Sequence, residues 1–398
     1  MHTLEGNHRF NLNHFLHSRM SKIYIFQAVF TFIKSMIGVF IPIYLYKLGY
    51  SIISIILYNI GLSLVMLIFM PITVKIINKI GFKYTLLLSI LIYFFHLVSL
   101  NFISGIYSIY FFHFSWFTFG IYIAIFWPTM HSEFAVNLSN KKTSSELGTV
   151  KIIMIIFSSF APLIGGIFLG VYSYFYLLIF SSIFMIFGLI PLLLAEDIKL
   201  KYFDFNYIDY LKLIKNSNYN FSKLAFASEG IEHVLILLLW PIIIFFILNE
   251  NYVNFGFLFT IISIITVLFI LYFKKYIDSH DKNFILKIST RFLSFSWFLK
   301  SLILFFNILI FYFIESMSRI ILSVFELSYL SIFYKNAKKV GYMNYVILRE
   351  LYIHIIRILF LILIILYLFL FGESLVALIS ILFVGVFLSL GLSNLKEE

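Results

Sequence analysis

The chain has 398 residues, of which 62% are hydrophobic and 12% charged, with a formal net charge of +11 and no cysteine. A soluble domain is about a quarter charged, so no aqueous fold could absorb this much apolar surface, and the solvent of most of the chain is lipid. The missing cysteines exclude disulfides, thiolate metal sites and a cysteine nucleophile, while a basic excess dispersed over loops points to anionic lipid rather than nucleic acid as the partner.

The first 22 residues read as a polar cytoplasmic tail without a small-residue cleavage site, hence not as a signal peptide. Its histidines, His2, His8, His14 and His17, match no ligand spacing. Twelve long apolar runs follow, at 23–46, 52–77, 84–101, 105–131, 147–170, 173–194, 224–248, 253–273, 284–305, 308–334, 345–370 and 374–394. A helix needs about 20 residues to cross a ~30 Å hydrocarbon core. The runs are continuous rather than alternating, which excludes a β-barrel. The expected fold is therefore all-α and polytopic. A polar, basic linker at 195–223 divides an N-terminal bundle of six helices, 23–194, from a C-terminal bundle of six, 224–394.

Lysine and arginine occupy every second gap. The gaps with Lys75, Lys79 and Lys83, with Lys141 and Lys142, with Lys199 to Lys223, with Lys274 to Lys287 and with Lys335 to Lys339 are basic. Those near Asn101, Gly170, Asn251, Phe306 and Gly372 carry almost no basic residue. Cytoplasmic loops retain Lys and Arg, so both termini are expected in the cytoplasm and the chain in the inner or plasma membrane of the cell.

A few ionisable residues break this ladder by lying inside the apolar runs, where a charge costs several kcal/mol and needs a partner or water. Lys34 stands about twelve residues, ~18 Å, beyond Lys22 and so near the midplane. The fourth run has His113, Trp116, Gly120, Trp127 and His131 along one stripe. The seventh carries Glu229, Glu232 and His233. The tenth carries Glu315, Arg319 and Glu326, and the eleventh Glu350, His354 and Arg357, each trio at spacings that share one helix face. Arg291 and Lys300, near the ends of the ninth run, read as interfacial. Glu146, at the start of the fifth helix, reads as a structural charge. The sixth and twelfth runs have no ionisable residue in their interiors, and the third has only His96, so these three can face lipid.

The two halves resemble one another at an offset near 200 residues. Asn78-Lys79-Ile80-Gly81 corresponds to Asp278-Ser279-His280-Asp281, Lys141-Lys142 to Lys338-Lys339, and Lys151 to Arg349. Parallel six-helix repeats are a transporter signature. At this offset Lys34 and Glu232 would meet across the pseudo-twofold axis, and an ion pair between them is expected to join the bundles.

In this topology the chain resembles the major facilitator superfamily. The loop of Val74, Asn78, Lys79, Gly81, Phe82 and Lys83 is similar to that family's Gly-x-x-x-Asp-Arg-x-Gly-Arg-Arg motif, with Asn78 in place of the acid and Gly81 at a helix-capping position. Asp278 keeps the acid in the other half. Ala161-Pro162-Leu163-Ile164-Gly165-Gly166 is similar to the end of the family's antiporter motif. There the proline frees a carbonyl and the glycines permit a close helix seam. The resemblance implies that the first, fourth, seventh and tenth helices line a central cavity. It also assigns a gating or interbundle role to Asn78, Lys79, Gly81, Pro162, Gly165, Gly166, Asp278, Arg349 and Glu350. Lys34, His113, Glu229, Glu232, His233, Glu315, Arg319, His354 and Arg357 become the candidate substrate and proton pathway.

The expected function is a monomeric secondary transporter of a small polar or ionic solute, without a cofactor, coupled to protons and leaning to export. Lys34 and Arg319 would hold an anionic group, and Glu232 or Glu315 would carry a proton. No Gly-x-x-x-x-Gly-Lys-Ser/Thr loop for ATP is present. Two alternatives stand beside this. One is a flippase of lipid-linked sugars with another twelve-helix fold. The other is a polytopic membrane enzyme, which the short translocated loops and the absence of an Asp-x-Asp or ligand-spaced His cluster disfavour.

Overall fold

The structure, a computed structural model, describes residues 19–137, 143–197, 203, 206–215 and 219–397, with the backbone alone at Met20, 143–146, Tyr210, Lys274, Lys275 and Asp278. The tail histidines, Lys141, Lys142, Lys199, Lys201 and Asp204 lie outside the described residues.

The described residues form helices joined by short turns. They are α1 (Arg19–Ile37), α2 (Ile41–Lys47), α3 (Ile52–Phe102), α4 (Ser108–Asn137), α5 (Thr143–Ser158), α6 (Ala161–Val171), α7 (Tyr174–Leu194) and α8 (Tyr207–Lys215), followed by α9 (Asn220–Val234), α10 (Trp240–Ile247), α11 (Tyr252–Ser279), α12 (Lys282–Ser301), α13 (Ile308–Val340), α14 (Tyr342–Phe371) and α15 (Leu375–Leu388). Ten helical stretches among them are long and apolar enough to cross a membrane, so this is a multi-pass membrane protein. The count is ten rather than twelve for two reasons. The second and third runs join in the 51 residues of α3, broken at Gly81 with φ 79° and ψ 174°. And α12 carries four basic residues, Lys282, Lys287, Arg291 and Lys300, on an otherwise apolar helix. Each of the twelve apolar runs of the sequence lies mostly in helix.

The break at Gly81 is held from outside. Its left-handed backbone suits glycine, and the carboxylate of Asp197 lies directly against it. Asp197 accepts from the Lys83 amide at 3.2 Å, satisfying a free donor where the helix restarts. Lys83 Nζ donates to the Leu193 carbonyl at 2.6 Å. Asn78 pairs with the backbone of Phe203, donating at 2.6 Å and accepting at 3.2 Å. The linker, read from sequence as a polar gap, contains α8. Tyr207 Oη anchors it to the Ile68 carbonyl at 3.0 Å, and Tyr352 Oη donates to Ile214 at 3.2 Å.

Within the first half α1 packs on α5, α6 and α7, and α3 on α4; within the second α9 packs on α14, and α12 on α13 and α15. Across the halves, α5 and α6 pack against α11, while α3 and α4 pack against α14. Pro162 starts α6 just after α5 ends and so divides the fifth run. Gly166 packs against the Tyr252 carbonyl of α11, Gly256 packs back against the Pro162 carbonyl, and Gly165 lies on the Met36 carbonyl of α1. No side chain fits between these backbones. Gly166→Leu is therefore expected to lower stability by the ~1–3 kcal/mol of an overpacked interior. An unchanged melting temperature would show that the two helices part freely.

The described termini lie at one end of the bundle. Arg19 pairs with Glu133 at the end of α4 at 2.8 Å, and Glu397 pairs with Lys335 near the end of α13. At the opposite end the halves meet again. Lys47 pairs with Glu250 at 2.5 Å, and Glu373 accepts from the Ile52 amide at 2.6 Å, a favourable place for a carboxylate at the start of α3. The flank of α7 with Ile179, Ile183, Ile186, Phe187 and Ile190 is exposed, as are Val376, Phe383 and Phe387 of α15. On these faces lipid would be the solvent. His96 of the third run is instead buried, beside Ser115 and stacked on Phe119.

Candidate functional site: a charged cavity between the halves

A cavity of about 690 Å³ lies between the two halves, lined by both. Its first wall holds Lys34 of α1, Asn59 of α3, Trp127 and His131 of α4 and Lys151 of α5. Its second wall holds Glu229, Glu232 and His233 of α9, Arg319 and Glu326 of α13, and Arg349, Glu350, His354 and Arg357 of α14.

The expected Lys34–Glu232 ion pair is not formed. Lys34 Nζ lies over the rings of Phe30, Phe126 and Trp127, at 5.2, 4.8 and 4.8 Å from their centres. Glu232 turns into its own half, accepting from Trp297 Nε1 at 2.9 and 3.1 Å and from Ser389 Oγ at 3.1 Å. Each group finds local compensation, the cation in π-faces and the carboxylate in two neutral donors. An offset between sequence positions does not by itself aim two side chains at one another.

Glu315 and Arg319 belong to a second centre, buried within the C-terminal half. Glu315 is fully buried and accepts from Lys300 Nζ at 3.0 Å, Arg319 Nε at 2.7 Å and Trp240 Nε1 at 2.8 Å. Lys300 lies over Trp240 and Trp297, 4.6 and 4.8 Å from their centres. The interfacial expectation for Lys300 is thus corrected: it is a buried ion-pair partner with 3% of its surface exposed. The legible signal was Trp297 three residues earlier, on the same helical face. Arg291 is exposed. Arg319 reaches from Glu315 to the cavity wall, over the ring of Phe259.

A third group lies toward the end that carries the termini. Arg349 donates from Nε to Glu229 at 3.0 Å, pairs a second time with that carboxylate through Nη2, and donates from Nη1 to Glu350 at 2.6 Å. The same Nη1 lies 3.0 Å from His131 Nε2, and His131 Nδ1 lies 2.7 Å from Tyr334 Oη. Tyr329 donates to Glu229 at 2.9 Å, and His233 stands 3.8 Å from it. Arg349 thereby ties α9 and α14 to α4 of the other half, and Lys151 pairs with Glu326 across α5 and α13.

Arg357 has no such partner. It donates one hydrogen bond, from Nη2 to Asn59 Oδ1 at 3.0 Å, and its buried Nε has none, as is true of the neighbouring His354 Nδ1. Asn59 was not legible as a site residue, being one amide in an apolar run. His113 does not share the cavity. It is exposed near the opposite end and accepts from Trp116 Nε1 at 3.0 Å, because the cavity stops short of the first turns of α4. Lys79 is exposed, and Asp278 lies in α11 with only its backbone described.

No family model and no curated protein matches the chain. Among the solved structures that share its architecture are two bacterial ferroportin homologues. A bacterial homologue of the iron transporter ferroportin in the outward-facing state matches at TM-score 0.65 and 10% identity, over 94% of this chain and 98% of the other. The inward-facing state of a bacterial ferroportin homologue matches at TM-score 0.65 and 11% identity, over 96% of this chain and 98% of the other.

The chain shares the fold of these two structures. In it the cavity wall extends beyond the first, fourth, seventh and tenth runs. The eleventh supplies Arg349, Glu350, His354 and Arg357, the second Asn59 and the fifth Lys151. At such low identity the likeness speaks for the fold alone, and the chemistry rests on this chain's own side chains.

Proposed function

We propose that the chain is a secondary active transporter that moves a small polar or ionic solute by alternating access. The observation that carries this is an interior cavity whose charged side chains, buried or half-buried, come from both halves of the chain. Such groups are expensive in a membrane and mark a pathway. The bundles are 23–194 and 224–394, joined by the linker 195–223. The ladder of loop charges supports cytoplasmic termini in the inner or plasma membrane, and a monomer suffices because one chain encloses the cavity. Glu232, with neutral donors and no cation in contact among the described residues, is the group we assign to proton coupling.

Reconstitution into liposomes tests this directly. The purified protein is screened for counterflow against amino acids, sugars, organic acids and divalent cations, ferrous iron among them because both matched structures are of iron-transporter homologues. A transported compound is expected to accumulate under an imposed pH gradient, and Glu232→Gln is expected to keep counterflow but lose pH-driven accumulation. Folded protein that moves nothing in either direction would overturn transport. Full accumulation by Glu232→Gln would overturn the proton assignment.

A further inference from the structure

We propose that the cavity binds a water-soluble organic anion, a carboxylate or phosphate group on an apolar body, whose charge bridges Lys34 of one half and Arg357 of the other. This rests on the transporter reading above and names its substrate class. The charges of the cavity support it when they are paired off. Lys151 is matched by Glu326, Arg349 by Glu229 and Glu350, and Arg319 by Glu315. Three groups remain: Glu232, which is held by the neutral donors Trp297 and Ser389, and the cations Lys34 and Arg357, which have no carboxylate within ion-pair distance among the described residues.

A cation left in this state inside the protein is costly, and what surrounds buried Arg357 and half-buried Lys34 compensates them incompletely. Three rings offset the charge of Lys34 only in part. Arg357 makes one hydrogen bond to a neutral amide, while its Nε and the adjacent His354 Nδ1 are buried and unpartnered. Arg357 has 8% of its surface exposed and His354 4%, and both line the cavity. An anion in the cavity would give Arg357 the counterion it lacks. A planar guanidinium suits carboxylate and phosphate geometry, and a divalent cation in the same place would meet two uncompensated like charges. The cavity wall also carries aromatic rings, those of Tyr58, Phe119, Tyr122, Trp127 and Phe259. This fits an apolar body better than a sugar.

The arrangement also links binding to conformation. Lys34 stands on α1 and Arg357 on α14, so an anion that touches both favours the state in which the halves are close. A ligand shifts a conformational equilibrium only through such differential contacts.

The experiment uses the full chain in detergent, its thermal unfolding followed with benzoate, phenyl phosphate, inorganic phosphate, benzylamine, manganous ion and phosphatidylglycerol. Benzoate or phenyl phosphate is expected to raise the melting temperature, and benzylamine and manganous ion are not. Lys34→Met and Arg357→Gln are each expected to weaken anion binding by about tenfold or more, the usual cost of a lost charged hydrogen bond. Arg357→Lys keeps part of the affinity, and Arg291→Gln, an exposed charge, keeps all of it. The unliganded melt of each variant reports its folding. If one neutral variant fails to fold, Arg357→Lys, with its charge retained and its fork lost, still reads the contact.

Unchanged anion affinity in both folded neutral variants would overturn the site, as would stabilisation by benzylamine or manganous ion in place of the anions. A shift with phosphatidylglycerol alone, lost in both variants, would give the site to a lipid headgroup and overturn the soluble substrate. In liposomes the two readings separate. Anion binding without flux sinks transport and leaves this site standing, whereas flux of a neutral or cationic solute indifferent to both substitutions sinks the site and leaves transport.

Discussion

Glu315→Leu is expected to destabilise the protein by about 3–5 kcal/mol, the cost of removing one member of a buried ion pair. Glu315 has no exposed surface and accepts from Lys300, Arg319 and Trp240 at once. Without it, Lys300 is left charged among the rings of Trp240 and Trp297, with 3% of its surface exposed. Arg319 can turn to the cavity, but Lys300 has nowhere to go. The double variant Lys300→Met, Glu315→Leu should recover most of the loss, because a buried pair exchanged for apolar groups of similar volume is often neutral or better. Unfolding followed by tryptophan fluorescence reads this directly, as two of the four tryptophans form the site. A loss below ~1 kcal/mol, the range of an exposed ion pair, would show that water reaches Lys300.

Arg349→Met is expected to cost a similar ~3–5 kcal/mol for the same reason, with two acids stranded instead of one cation. Glu229 and Glu350 are both buried and share this guanidinium. The substitution also cuts the contact to His131, so the halves should loosen at the end that carries the termini. The chain lacks cysteine, which lets a single cysteine at Ser132, buried opposite Met343, report the loosening without background. Its labelling rate is expected to rise in Arg349→Met. Arg349→Lys should not rescue stability, since a point charge cannot serve two carboxylates and an imidazole as a planar fork does. Wild-type stability and labelling in the lysine variant would mean that charge alone, and not the fork, holds the network.

Local signals in the chain anticipate much of this architecture. Gly81 reads as a left-handed cap because a basic loop must turn there, and the structure breaks α3 at that glycine. Pro162 reads as an interruption of the fifth run, and it starts α6. Both are backbone effects of one or two residues. The partners are another matter. Lys300 and Glu315 lie on different helices, and nothing in their spacing aims one at the other. Asn59 gains its place only because Arg357 reaches it from a helix 298 positions away in the chain. The expected Lys34–Glu232 pair does not form, because a sequence offset relates positions only, whereas a hydrogen bond depends on side-chain direction and on competing donors such as Trp297.

The sequence by itself determined that the chain lives in lipid, that its apolar runs are helices, and which few ionisable residues had to be accounted for inside them. These follow from hydration cost and helix rise, which act residue by residue. Only the tertiary structure decided which of those charges neutralise one another and which cations, Lys34 and Arg357, stand without a carboxylate among the described residues. Compensation in a low dielectric falls off over a few ångströms, and that distance is set by how helices far apart in the chain pack together.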